Sequence, residues 1–90
     1  MEQRGSVRVN RKALEARLMH SGKALATVLA ATRSDADLSQ RQVAEKMGWD
    51  RNTVTKIEGG NRVVSMQEFI ELCRIYQVDP LKVMKRVLEW

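Results

Sequence analysis

The sequence predicts an all-α fold, and three observations carry that expectation. Apolar residues recur at helical spacing along most of the chain. They are mainly Leu, Val, Ala, Met and Ile, with aromatics at only 4%. Ser39 with Gln42 and Ser65 with Glu68 each form the Ser-x-x-Gln/Glu pattern that satisfies two free amide donors at a helix start. Ninety residues suffice for one domain with a marginal core.

Residues 1–8, MEQRGSVR, are polar and basic without periodicity and are expected to be loose, a basic arm able to touch a polyanion. From Asn10 an amphipathic pattern begins: Leu14 and Leu18 lie one turn apart, Gly22 follows, and Leu25, Val28, Leu29 and Thr32 continue the stripe. Ser21-Gly22 is the natural break, so two helices are expected. One long helix is the alternative, because an interior Gly costs only about 1 kcal/mol against Ala. The division falls there: residues 1–21 as arm and extension helix, residues 22–90 as the main domain. Ser34-Asp35-Ala36-Asp37 reads as a polar turn, after which Leu38 enters the core.

Ser39 starts the next helix, and Gly48 ends it by the left-handed conformation that glycine adopts most readily. Asp50 then caps another helix start almost at once. Two short helices are thereby held around a tight turn. Ala44 allows close approach, and Val43, Met47, Val54 and Ile57 supply the apolar contact between them. The outward side of the second helix carries Arg51, Asn52, Thr55 and Lys56 at i, i+1, i+4 and i+5, one polar stripe with no acid in it.

Gly59-Gly60-Asn61 ends that helix, and a fourth core helix follows Ser65, with Met66, Phe69, Leu72, Cys73 and Tyr76 as its core side. Asp79-Pro80 opens the last helix, with Asp as cap and Pro where its missing amide costs nothing. Leu81, Met84 and Leu88 are expected to face inward. Val83, Val87 and Trp90 then form a second apolar stripe, serving either as a self-association surface or as a face covered by the amino-terminal extension.

A net charge of +5 points to a polyanionic partner. Residues 63–90 balance Arg74, Lys82, Lys85 and Arg86 against Glu68, Glu71, Asp79 and Glu89, so the excess lies in the arm and the two-helix unit. The stripe of Arg51, Asn52, Thr55 and Lys56 suits the major groove of a double-stranded DNA. A guanidinium donates two parallel hydrogen bonds to guanine, an Asn amide matches adenine, and a Thr methyl packs on thymine. Gln40 at a helix start with Arg41 beside it, and Asn61 and Arg62 beyond the second helix, are placed for phosphate oxygens.

Other chemistries find little support. One histidine, His20, and one cysteine, Cys73, with no paired carboxylates, phosphate-cradling loop or metal-ligand spacing, argue against an enzyme and imply no cofactor or metal. A lone Cys cannot form an intrachain disulfide and fits a reducing cytoplasm, with Cys73 as a small buried apolar residue. No apolar run approaches the ~20 residues needed to span a bilayer, and no signal-peptide core is visible at the amino terminus.

The motif LSQRQVAEKMGWDRNTVTKIEGGNR resembles the helix-turn-helix of the XRE, or Cro and lambda-repressor-like, family, and the resemblance extends over about residues 22–88, through SMQEFIELCRIYQVDP. It implies a five-helix, lambda-repressor-like DNA-binding domain, usually dimeric, whose second motif helix reads the major groove. Carried onto this chain, Gln40 would grip phosphate and Arg51, Asn52, Thr55 and Lys56 would meet bases. The resemblance also implies that Glu58 pairs with Arg33 in a structural role. Two departures stand out: Asp37 occupies the place of a Gly usual before Leu-Ser-Gln, and Trp49 is unusually large for the turn, able to pack over a sugar-phosphate or against the protein. The functional expectation is a transcriptional regulator, of repressor type, bound as a homodimer to an inverted repeat. The rival on the same fold is a protein-binding module of antitoxin or anti-repressor kind, its amino-terminal helix and Trp90 end gripping another protein.

Overall fold

The computed structural model describes residues 10–90; the basic arm expected at residues 1–8 lies outside them. The described residues form five helices: α1 (Arg11–Asp35), α2 (Gln40–Met47), α3 (Arg51–Glu58), α4 (Met66–Tyr76) and α5 (Pro80–Glu89). Each begins on a residue whose side chain accepts from a free backbone amide: Asn10, Ser39, Asp50, Ser65 and Asp79. Both expected capping boxes are formed, with Gln42 and Glu68 reaching back to the cap amides.

The first four helices end in the same way. The amide just past a left-handed residue returns to a carbonyl five residues back: Leu38 to Arg33, Trp49 to Ala44, Asn61 to Lys56 and Val78 to Cys73. The left-handed residues are Asp37, Gly48, Gly60 and Gln77. At Asp37 the turn therefore keeps the backbone a glycine would adopt, with φ 60°, because Asp is among the few side-chain-bearing residues that tolerate it. Gln77, at φ 58°, has no such excuse. Gln77→Gly should raise stability by about 0.5 to 1 kcal/mol, the relief of left-handed strain less the entropy that glycine adds to the unfolded chain. Urea unfolding reads it, and a loss of stability would mean that the Gln77 side chain contributes something its geometry does not reveal.

Helix α1 overturns the expectation of two helices, for it passes through Ser21-Gly22 unbroken. The glycine penalty of about 1 kcal/mol is offset by an Asn10 cap and by a run of strong helix formers on either side. The carboxyl-terminal half of α1 is core: Ala24, Val28, Leu29 and Thr32 are buried, and Thr32 returns its hydroxyl to the Val28 carbonyl at 2.7 Å. The amino-terminal half overhangs the domain, which measures 48 Å along its long axis against 24 and 21 Å. Leu14 and Leu18, on the core-side line of the helix, are exposed there.

Around α1, helices α2 and α3 pack closely on each other through Val43, Ala44, Val54 and Ile57, all buried. Phe69, Leu72, Cys73 and Tyr76 bring α4 into the same cluster. Burial raises the pKa of the Cys73 thiol and pushes that of Tyr76 upward as well. Met66 was expected to share that core face but is largely exposed, because at the first position of α4 it lies outside the layer that Phe69 begins.

The inward side of α5 also differs from expectation. Val83 is buried, and Met84 and Val87 pack half-buried against the core, while Leu81 and Leu88 are 77% and 80% exposed. Two apolar stripes share this helix, and its crossing against α1, the most extensive contact of α5, selects the Val83 side. Trp90 stacks at a tilt on His20 of α1, ring centroids 5.3 Å apart. Of the stripe expected either to self-associate or to be covered by the amino-terminal extension, Val83 is buried and Val87 half-buried, while Trp90, although it lies against His20, stays 49% exposed, and Leu81 and Leu88 are more exposed still.

Candidate nucleic-acid interface

Burial of Val54 and Ile57 fixes which side of α3 faces out. At 3.6 residues per turn Arg51, Thr55, Asn52 and Lys56 then fall in one continuous arc, and all four are exposed. The structure brings these four together as expected, with no acid in the arc.

Beneath that arc lies a chain of hydrogen bonds that determines how it is held. Arg33 donates from Nε to Glu58 Oε2 at 2.7 Å and from Nη2 to Oε1 at 3.1 Å, while its Nη1 donates to the Leu38 carbonyl at 2.6 Å. The expected Arg33–Glu58 pair is therefore bidentate, and it also ties down the turn after α1. The hydrogen bond to Glu58 is the main reason that the pKa of Arg33 is raised further. Glu58 Oε1 accepts a second bond, from Nε2 of Gln40 at 3.0 Å, and Gln40 Oε1 accepts from the Thr55 hydroxyl at 2.9 Å. Gln40 is oriented by these two partners, since a carboxylate can only accept. One amide N–H of Gln40 remains to point outward, beside Ser39, Arg41 and Arg51, which line a shallow polar cleft with it. With the Thr55 hydroxyl turned to Gln40, the methyl group is the part of that side chain left to offer outward.

On the other flank, Asn61 is exposed after the left-handed Gly60. Arg62 is forked on Glu68, Nη1 to Oε1 and Nη2 to Oε2 at 3.0 Å each, and its guanidinium lies 5.1 Å from the centre of the Trp49 ring. Trp49 packs half-buried against the core, so of its two expected places the protein side is the one occupied. Arg62 thereby joins the α2–α3 turn to the start of α4. The arrangement was invisible in the sequence: twelve residues lie between Trp49 and Arg62 with no periodicity to relate them, and Glu68 was legible only as the capping-box acid.

The Arg62 guanidinium, followed by the Ser65 amide, holds the Glu68 carboxyl at about 2. A carboxyl depressed in the folded state stabilises above its unfolded pKa and loses that contribution as pH falls toward its folded one. Stability should therefore decline between about pH 4.3 and 2, and Glu68→Gln should flatten that limb of an acid unfolding curve. An unchanged acid limb would mean that the fork is not maintained in solution.

The fold has known counterparts. A helix-turn-helix domain family matches residues 24–83. Among solved structures, the BldD DNA-binding domain of S. venezulae is 33% identical, covering 69% of this chain and 93% of that one with a TM-score of 0.60. An XRE-family like protein from Pseudomonas syringae pv. tomato is 25% identical and covers 90% of this chain and 96% of its own, with a TM-score of 0.71. The clp gene regulator ClgR from Corynebacterium glutamicum, at 20% identity, shares the fold with a TM-score of 0.72 over 77% of this chain and 73% of that one. No curated protein sequence matches. Five helices, the capped α2–α3 unit and these matches agree: the chain belongs to the helix-turn-helix family of DNA-binding regulators, of the XRE type.

Proposed function

We propose that this protein is a sequence-specific regulator of transcription that binds double-stranded DNA through α3 and acts as a homodimer on an inverted repeat, most simply as a repressor that blocks polymerase. The observation that carries the reading is the acid-free arc of Arg51, Asn52, Thr55 and Lys56, anchored from behind by buried Val54 and Ile57. In the groove Arg51 and Asn52 would read base edges by paired hydrogen bonds, the Thr55 methyl would meet a thymine, and Lys56 would complete the set. Gln40, Arg41, Asn61 and Arg62 would contact phosphates on either side, setting register without reading sequence. Arg62 would do so from its fork on Glu68, with its side chain still a third exposed. Two copies on half-sites one helical turn apart would place both α3 helices on one face of the duplex. A regulator of this kind would act in the cytoplasm, where its DNA lies; no helix among the described residues is long and apolar enough to cross a membrane.

Selection of preferred duplexes from a random pool tests this directly. Arg51→Ala should cost about 1 to 3 kcal/mol and relax the preference at one base position, whereas Arg62→Ala should weaken all sequences alike and flatten the salt slope. Sequence preference untouched by Arg51→Ala would refute the register of α3 on DNA. The antitoxin or anti-repressor alternative draws on the exposed Leu14 and Leu18, and failure of the chain to be retained on any duplex at low salt would favour it.

A further inference from the structure

The guanidinium of Arg62 has one edge to spare. A guanidinium carries five N–H donors in a single plane. Those on Nη1 go to Glu68 Oε1 and to the Val63 carbonyl, at 3.0 and 3.1 Å, and one on Nη2 goes to Glu68 Oε2 at 3.0 Å. The Nε–H and the second N–H of Nη2 are left, parallel on one edge and without an acceptor among the described residues. In this same chain Arg33 uses that edge to grip both oxygens of Glu58, so its fit to a pair of anionic oxygens is seen directly. The position of the edge is fixed from two segments. Arg62 follows α3 in the chain, yet its guanidinium lies 5.1 Å from the centre of the Trp49 ring, and Trp49 immediately precedes the cap of α3. Glu68 is itself held, because Oε1 also accepts from the Ser65 amide in the capping box of α4.

We propose that Glu68 and Trp49 are positioning residues for DNA: together they hold Arg62 so that the edge bearing Nε and Nη2 meets the two free oxygens of one backbone phosphate. The proposal rests on the DNA-binding reading above and deepens it, since neither Glu68 nor Trp49 touches DNA in it. Two opposed effects decide whether an acid can help here. A rotamer-rich side chain ordered on folding no longer has to be ordered on binding, which is worth about two- to tenfold in affinity. Against it stands the repulsion between Glu68 and the phosphate across the guanidinium, which water and physiological salt reduce to about twofold or less between exposed groups. Ordering wins. Glu68 also does not compete for the edge, because both of its oxygens are engaged on the other side of the guanidinium.

Titration of the full chain with a duplex recovered from the random pool, and with a random duplex of the same length, tests it. Glu68→Gln keeps the α4 cap, as Gln42 does for α2, but loses the ionic fork. It should weaken both duplexes alike by about threefold or more and make the salt dependence shallower by up to about 0.9 in log affinity per log salt, one phosphate contact. Removal of an acid acting only through its charge would do the reverse, so tighter binding would overturn the proposal. In an Arg62→Ala background the same substitution should bring no further loss. A loss undiminished there would mean that Glu68 acts through the fold, and the proposal falls. Arg62→Lys keeps the charge without the second edge and should bind as weakly as Arg62→Ala, and wild-type binding by it would mean that a point charge suffices. Trp49→Leu should reproduce Glu68→Gln, while Trp49→Phe, which keeps an aromatic face under the guanidinium, should stay near wild type; equal effects of the two would remove Trp49 from the assignment. A wild-type chain that no duplex retains at low salt removes the DNA-binding reading itself. If instead Arg51→Ala relaxes base preference while Glu68→Gln and Trp49→Leu bind like wild type, that reading survives and this one fails.

Discussion

Glu58→Ala should destabilise the protein by about 3 kcal/mol and at the same time weaken its binding to DNA. Its side chain is 7% exposed and its two oxygens accept three hydrogen bonds, two from Arg33 and one from Gln40. Removing it strands a guanidinium that is itself only 18% exposed, and an uncompensated buried charge is the expensive outcome of breaking such a pair. The cost belongs at the lower end of the usual range, because Arg33 keeps its bond to the Leu38 carbonyl and some access to water.

The same substitution frees Gln40. Without the carboxylate that fixes its amide, Gln40 can rotate, and Thr55 loses the acceptor that turns its methyl outward. A double variant, Arg33→Met with Glu58→Met, separates the two consequences. Replacing both charges by apolar groups of similar size is often neutral or stabilising, so urea unfolding should show most of the lost stability restored. Titration of duplex DNA should show affinity still reduced, because Gln40 remains unanchored. Recovery of both would mean that the network serves the fold alone; recovery of neither would mean that the charges make the turn at Leu38 possible in the first place.

What the sequence reveals of this protein divides along a physical line. Helix starts and stops were legible because caps act within four residues: Ser39 with Gln42, Gly48, Asp50 and Ser65 with Glu68 are where local chemistry places them. The outward arc of α3 was legible for the same reason, since Val54 and Ile57 leave only one side for Arg51, Asn52, Thr55 and Lys56. The continuity of α1 was not, because an interior Gly is compatible with either outcome and the balance is set by the whole helix. Nor was the inward side of α5, where Leu81 with Leu88 and Val83 with Val87 have equal claims by spacing and only the crossing on α1 decides. The fork of Arg62 on Glu68 beneath Trp49 lies across three separate segments and leaves no local signal.

That contrast between spacing and packing sets up the largest effect expected on stability. Phe69→Ala should cost about 3 to 5 kcal/mol, while Leu88→Ala should stay within about 0.5. Phe69 is 4% exposed, in the first turn of α4 within the buried cluster that also holds Leu72, Cys73 and Tyr76, where truncation leaves a cavity that the packed core cannot close without losing its own contacts. A domain of this length has about 5 to 13 kcal/mol in total, so the variant would sit close to its unfolding midpoint in mild urea. Leu88 is as apolar and recurs at equally good spacing, but at 80% exposure it has little burial to lose. Urea unfolding of the two variants side by side decides the matter: a loss at Leu88 approaching that at Phe69 would mean that α5 turns its Leu81 and Leu88 side into the core, and that the packing of α5 on α1 described above is wrong.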